Sequence, residues 1–316
     1  MRYRVIVNPA AGRGAAAAAV PAIQAHLRNL GLAFELVYTE RRWHAAELAR
    51  AAACDGVDII VAVGGDGTVN EVLNGLVMAR DDHPSVFPAL GVLSTGRGND
   101  FAFALGIPTE LEAGCRVLAQ AQRRPIDIGY VTGGDDSVGR YFGNGVGIGF
   151  DAVVGFVAAR QPHLKGFLCY IVATLKTILL YYEAPLVSIE YAGRNIEQPT
   201  LMISVMNGQR MGGGFMMAPQ GDPADGHLNL CIARQVPRLR ILTMIPHFMR
   251  GTQATQAPIT TARTDHIAVT ALQGNLPAHA DGETLATATQ KLEITLVPQL
   301  IDVIAPTRAS QRTKGH

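Results

Sequence analysis

From the N-terminus to about residue 130, short apolar runs alternate with stretches of helical period, the pattern of a doubly wound α/β sheet. The spacing predicts strands at Tyr3–Val7, Ala33–Thr39, Asp58–Val63 and Leu90–Leu93, separated by helices at Ala15–Leu30, Ala45–Ala53, Val69–Met78 and Leu111–Ala121. Val57–Val63 is almost wholly apolar, as suits a parallel strand covered on both faces. After Asp127 the pattern changes to short alternating strands, expected at Leu186–Tyr191, Leu201–Met206, Leu228–Ala233, His266–Thr270 and Lys291–Val297, and reads as a β-rich second domain. Gly133, Gly134, Asp135 and Asp136 form its first expected hairpin turn. The expected domains are thus 1–130 and 131–297, with a last strand near 298–305 free to rejoin the first. Gly166–Tyr182 is too short to span a bilayer and carries Lys176; it reads as a mostly buried helix, with walling a lipid pocket as its alternative role. Val236–Gly251 sets Leu239, Ile241, Leu242, Ile245, Phe248 and Met249 among Arg238, Arg240 and Arg250. That pattern suits either an anionic membrane surface or a helix packed on the β domain.

Composition narrows the function classes. A chain of 316 residues exceeds the size at which single cores stop growing, which supports two domains. A net charge of +1, with no dense Lys/Arg run before the tail, gives no reason to expect a broad nucleic-acid-binding surface. Cys54, Cys115, Cys169 and Cys231 are scattered without a CxxC pair, which speaks against a zinc site or disulfide framework and fits a reducing cytoplasm. The opening residues MRYRVIVNPA run straight into strand-like sequence with no leader pattern, so secretion is not expected. The polar residues Thr307–His316 read as a frayed tail.

The chemistry concentrates in glycine loops. Val61–Leu76 joins a buried strand to a helix through Gly64, Gly65 and Gly67, which leave the backbone open to close approach by a ligand. Thr68 and Glu71 have the spacing of a capping box, so free amides would face the turn and favour anions. Asp66 stands among those amides, where a carboxylate next to phosphate calls for a divalent cation between them. The plain alternative is a tight turn without ligand. The first loop, Asn8-Pro9-Ala10-Ala11-Gly12-Arg13-Gly14, and the fourth, Ser94-Thr95-Gly96-Arg97-Gly98-Asn99-Asp100-Phe101, repeat the scheme with arginines; in the latter Asn99 or Asp100 is also a simple helix cap. All three loops fall at the carboxyl edge of the expected sheet, where open α/β sheets place their ligands. Further glycine-rich segments at Gly147–Asp151, Gly212–Phe215, Pro219–His227 and Ala280–Glu283 together set several carboxylates in loops.

NPAAGRG, GGDGTVNEV, GRGNDFA, GIGFDAVV, MGGGFMMAP, DPADGHL and DGE, in this order over nearly the whole chain, resemble the diacylglycerol kinase catalytic-domain family, which includes bacterial lipid kinases and the sphingosine and ceramide kinases. GGDGT alone is shared with NAD kinases and phosphofructokinases. The resemblance implies an α/β nucleotide-binding domain like that of phosphofructokinase, a C-terminal β-sandwich, and ATP in a cleft between them. It further implies nucleotide contacts from Asn8, Pro9, Ala10, Ala11, Gly12 and Thr39, from Gly64, Gly65, Asp66, Gly67, Thr68, Val69 and Asn70, and from Arg97 and Asn99. Arg97 stands where many relatives have a threonine, and Phe103 where they have a basic residue. Asp66, Asp100 and Asp127 match an acidic network around Mg2+. Asp222, Asp225 and His227 match a separate structural Mg2+ site, the histidine giving its backbone carbonyl. Glu283 matches the proton acceptor, with Asp281 beside it as the other candidate base.

The implied reaction is phosphoryl transfer from ATP to a lipid hydroxyl, diacylglycerol being the family default, with sphingoid bases, ceramide, acylglycerols and phosphatidylglycerol open as acceptors. His44, His163 and His279 are alternative bases. The rival readings are an NAD kinase and a nucleotide-binding regulatory protein without catalysis; retention of Asp66, Asp100, Asp127 and Glu283 speaks against the latter. A cytoplasmic protein in peripheral contact with the inner membrane face is expected, and a homodimer is left open.

Overall fold

The computed structural model describes residues 1–83, 88–135, 138–159 and 166–307, which fall into two units, Met1–Asp127 with Pro298–His316, and Ile128–Val297. Asp136, His163 and the tail beyond Thr307 lie outside the described residues.

In the first unit, buried apolar strands alternate with helices that each cover one sheet face. They run β1 (Arg2–Val7), α1 (Ala15–Asn29), β2 (Ala33–Tyr38), α2 (His44–Cys54), β3 (Ile59–Gly64), α3 (Asp66–Asp82), β4 (Ala89–Ser94), α4 (Asp100–Ala104) and α5 (Leu111–Gln120), followed by β5 (Arg123–Thr132), which leads into the second unit. Strand order is β4–β3–β1–β2, all parallel, and Val303 of the last strand pairs with Leu90 on β4. Every residue of β3 is buried, as its apolar run required. The chain steps from β1 to β2 on one side and then to β3 on the other, so the order reverses between β1 and β3. That reversal is the switch point at which such sheets bind ligands.

On α2, Ala45, Ala46, Ala49, Ala52 and Ala53 are buried and form a thin stripe at helical spacing. It lets α3 approach so closely that a Cβ at Gly75 would lie 2.2 Å from the carbonyl oxygen of Ala46.

The second unit is antiparallel. It contains β6 (Arg140–Phe142), β7 (Gly145–Gly149), α6 (Phe150–Ala159), α7 (Gly166–Leu180), β8 (Leu186–Tyr191), β9 (Arg194–Met206), β10 (Leu228–Arg234), α8 (Arg238–Arg250), β11 (Ile259–Thr264), β12 (His266–Gln273), β13 (Leu276–Ala280), β14 (Glu283–Thr289) and the first part of β15 (Lys291–Ile304). β9 is long enough to serve two ladders: Arg194–Pro199 pairs with β8, and the rest pairs with β7 and β10. Period-two alternation then divides two cores. Ile203, Val205, Leu230 and Ile232 join the sandwich core, whereas Met202, Met206, Cys231 and Ala233 pack under α6, α7 and α8.

One expectation for the helices is corrected and one is divided. α7 is not mostly buried: Ala173, Thr177 and Ile178 face inward, but Leu175, Leu179 and Leu180 are exposed. Of the apolar face expected on α8, Ile241 and Phe248 are buried in the core under the helices and Ile245 packs against it, because sheet and helix have complementary apolar faces there.

Gly75→Ala is expected to destabilise the first unit. The gain in helix propensity is roughly 1 kcal/mol, while overpacking costs about 1–3 kcal/mol and sits at the upper end when the obstacle is backbone. Urea unfolding with native far-ultraviolet dichroism checks it; an unchanged or raised midpoint would contradict the packing.

Candidate active site

Hydrogen bonds continue the β-ladder one residue past each strand, from Asn8 N–H to Val63 O at 3.0 Å, Thr39 N–H to Val7 O at 2.9 Å and Thr95 N–H to Gly64 O at 2.8 Å. The loops after β1, β3 and β4 therefore start from one level at the switch point. Beyond it they touch backbone to backbone. A Cβ at Gly12 would lie 2.2 Å from Thr95 O, and one at Gly96 would lie 2.4 Å from the Cα of Gly65. No side chain fits between them.

The capping box expected of Thr68 and Glu71 does not form. Gly65 is extended (φ −100°, ψ −170°) and serves as N-cap, so α3 starts at Asp66. Thr68 is thereby inside the first turn, where its Oγ1 accepts from Asn8 Nδ2 at 3.1 Å. Glu71 instead accepts the Ala45 N–H at 3.1 Å and ties α3 to α2. The anion-favouring N-terminus persists, since the opening amides of α3 carry no side-chain cap.

Asp66 joins two loops, its Oδ1 accepting the Phe101 N–H at 3.1 Å. A Cβ at Gly98 would lie 2.8 Å from Asp66 Oδ2 and 3.3 Å from Asp100 Oδ2, so both carboxylates lie against that glycine. Asn99 holds a left-handed turn (φ 53°) and donates from Nδ2 to Gly96 O at 3.2 Å, without capping α4 by its side chain. Arg97 is exposed on this loop, as are Ala10 and Arg13 on the first, with Pro9, Ala11, Gly12, Gly65 and Gly67 half-buried. Val69, Asn70 and Thr39 are buried, so whatever they contribute to a ligand is limited by that burial.

Two observations test whether these loops fit a nucleotide and its cation. Thr95 Oγ1 and Asn99 Oδ1 are buried without a hydrogen-bond partner in the protein, a rare condition that a polar ligand or water relieves. Asp66 and Asp100 supply the one or two carboxylates with which proteins hold Mg2+ alongside phosphates. No group of three His, Cys, Asp or Glu among the described residues is arranged for a metal, so Asp127 does not complete a three-carboxylate cluster. It is buried, and its Oδ1 accepts the Gln299 N–H at 2.9 Å, fixing the last strand where Gln299 turns left-handed (φ 49°).

Asp222, Asp225 and His227 do not fit a cation as they stand. Asp222 Oδ1 accepts the Ala224 N–H at 3.1 Å, and Asp225 Oδ1 accepts the His227 N–H at 3.1 Å. Asp225 Oδ2 is paired with the Arg263 guanidinium, and its carbonyl oxygen is engaged by His227 Nδ1 at 2.8 Å.

In the second unit, Asp281 and Glu283 prove unlike. Asp281 is left-handed (φ 48°), and its carboxylate accepts the backbone N–H groups of Gly143 at 2.8 Å, Asn144 at 3.0 Å and Gly145 at 2.9 Å. It is a clamp that holds the turn before β14 against the strand entering β7. The Gly282 N–H donates to His279 Nδ1 at 3.3 Å, and buried His279 places Nε2 3.9 Å from Asp151 Oδ2, which accepts from Ser204 Oγ at 3.3 Å. Gly147 leaves the space for this pair: a Cβ there would lie 2.5 Å from both. Burial raises the Asp151 pKa above the usual aspartate range, against the opposing pull of His279. Sequence reasoning singled out Asp151 and His279 separately but missed Ser204 and the pairing of the three, which only the ladder of β7, β9 and β13 brings together. Burial also pushes the thiols of Cys115 and Cys231 up to about 11 and about 12, which leaves them inert. His44 accepts the Glu40 N–H through Nδ1 at the exposed start of α2.

The model described as diacylglycerol kinase catalytic domain matches residues 2–131, and that described as YegS C-terminal NAD kinase beta sandwich-like domain matches residues 144–305. The chain is 30% identical over 292 residues to a diacylglycerol kinase of Bacillus subtilis, covering 89% of each. Its fold is shared with a Bacillus anthracis diacylglycerol kinase (TM-score 0.72, 22% identity, 96% of this chain and 97% of that one). An Archaeoglobus fulgidus NAD kinase solved in complex with ATP is a more remote fold relative (TM-score 0.55, 15% identity, 100% and 98% covered).

Asp281→Asn keeps the shape but turns an NH2 toward a backbone donor, so a loss of about 1–3 kcal/mol is expected; an unchanged urea midpoint would contradict the clamp. Asp151 yields a pH test. Its raised native pKa means the fold keeps a proton that the unfolded chain releases, so stability is lost as pH rises from the usual aspartate range through the raised value. Urea midpoints of wild type should fall relative to Asp151→Asn over that window, and parallel curves would refute it.

Proposed function

This chain belongs to the diacylglycerol kinase family, and we propose that it transfers the terminal phosphoryl group of ATP to a lipid hydroxyl, with diacylglycerol as acceptor. The observation that carries this reading is the convergence of three glycine-bearing loops on the switch point, with buried Thr95 and Asn99 oxygens left over and two carboxylates side by side at Gly98.

In this reading the loops Asn8–Gly12 and Gly64–Asn70, with Thr39, Arg97 and Asn99, bind ATP, the amides at the start of α3 taking up phosphate charge. Asp66 and Asp100 would hold Mg2+, which when bound neutralises charge on the transferring phosphoryl group. Asp127 supports them by fixing the last strand. Glu283 accepts the hydroxyl proton while the lipid oxygen bonds to phosphorus and ADP leaves. Asp281 is the positioning residue, because a carboxylate bound by three amides is a hydrogen-bond acceptor already in use. The B. subtilis relative favours a lipid over NAD as acceptor, since the NAD kinase shares only the fold. No described helix is long and apolar enough to cross a membrane, so the acceptor would be reached by reversible contact with the inner membrane face from the cytoplasm.

Asp66→Asn should keep the fold, because Oδ1 can still accept from Phe101, and should lower turnover of diacylglycerol by several kcal/mol, on the order of a hundredfold or more. Circular dichroism and a kinase assay decide. A folded variant with most of its activity would sink the assignment.

A further inference from the structure

Among the described residues, α7 and α8 carry apolar side chains that nothing covers. Half of the large apolar side chains exposed among the described residues belong to these two helices and Tyr181. Leu179, Leu180 and Leu239 are 69%, 68% and 77% exposed, with Leu175, Tyr181 and Leu242 around them. Packing does not require them, since α7 already buries Ala173, Thr177 and Ile178, and α8 buries Ile241, Met244 and Phe248. A clustered apolar patch of this kind is a contact surface in soluble proteins.

The two helices are stitched at this corner. Tyr182 donates its hydroxyl to Val236 O at 2.6 Å, and the Arg238 guanidinium lies 5.4 Å from the centre of the Tyr182 ring. The exposed leucines of α7 are thereby held beside the first turn of α8. The charges that accompany them are Lys176, Arg238 and Arg240, all exposed; no acid occurs within Leu175–Tyr182 or Arg238–Arg250, and Glu183 follows directly.

We propose that this composite corner, the exposed end of α7 with the first turns of α8, seats the protein on an anionic lipid bilayer. Leucines enter the acyl boundary while Lys176, Arg238 and Arg240 meet the headgroups. A second copy of the chain is the poorer occupant, because a two-fold contact sets a patch against itself and here would oppose cation to cation. The inference deepens the lipid-kinase reading and rests on it for the choice of partner. It also replaces the single-helix surface expected from Val236–Gly251, half of whose apolar face is core.

Flotation of the full chain with vesicles of phosphatidylcholine, alone or equimolar with phosphatidylglycerol, tests it. Wild type should bind the anionic vesicles at least roughly tenfold more tightly than the neutral ones, and Arg238→Glu/Arg240→Glu should weaken anionic binding by roughly twentyfold or more. Leu179→Ser/Leu180→Ser should weaken it at least roughly tenfold. Leu272→Ser, an exposed leucine on β12, should not change it. Thermal melts confirm that each variant folds, as the exposure of these positions leads one to expect. Wild-type flotation by both double variants would overturn the proposal, as would a failure of wild type to float. So would a dimer in sedimentation that the leucine variant dissociates with flotation unchanged. Kinase activity on dioctanoylglycerol in detergent micelles separates the two readings. Flotation lost with micellar activity kept supports the surface. Flotation intact with no lipid phosphorylated refutes the lipid-kinase reading and leaves the surface standing.

Discussion

The first unit depends on a contact that only glycine and bare backbone can make. Gly65 and Gly96 meet at their Cα atoms, and Gly12 lies against the carbonyl oxygen of Thr95, at the level where the ladder between β1, β3 and β4 ends. Any side chain there would drive the loops apart and withdraw their amides from a common ligand. Other features follow from it: α3 starts early at an extended Gly65, Thr68 turns back to Asn8, and Asp66 reaches across to Phe101. Charge enters this frame sparingly. Two carboxylates, Asp66 and Asp100, lie against one glycine, Gly98.

The second unit solves a different problem by different means. The turn before β14 is held by charge-assisted bonds from Asp281 to three successive amides. Behind it lies the buried Asp151–His279–Ser204 cluster, whose burial costs stability that an apolar core would not. Here His279 accepts the Gly282 N–H and so ties the cluster to the turn before β14.

Much of this was legible in the chain. Strong periodicity gave β1 to β4 and α1, α2 and α5 to within a residue or two, and the glycine loops marked where the backbones of three loops come together. Helix starts were less legible, because Thr68 and Glu71 satisfy a capping pattern that tertiary partners, Asn8 and Ala45, override. The short strands β7, β13 and β14 escaped because glycine- and alanine-rich segments carry little alternation. Nothing local distinguishes Asp281 from Glu283; the difference is made by Gly143 to Gly145, far away in sequence. Likewise, the exposed leucines of α7 look like core residues until the sheet beneath is seen to have room for only one face of the helix.

The destination of the phosphate decides the function of this protein. Purified protein incubated with radiolabelled ATP, a panel of lipid alcohols and NAD, followed by separation of lipid and aqueous products, measures it directly. Label in the lipid phase, migrating as phosphorylated diacylglycerol, is the predicted result. Label in NADP with none in any lipid would contradict it.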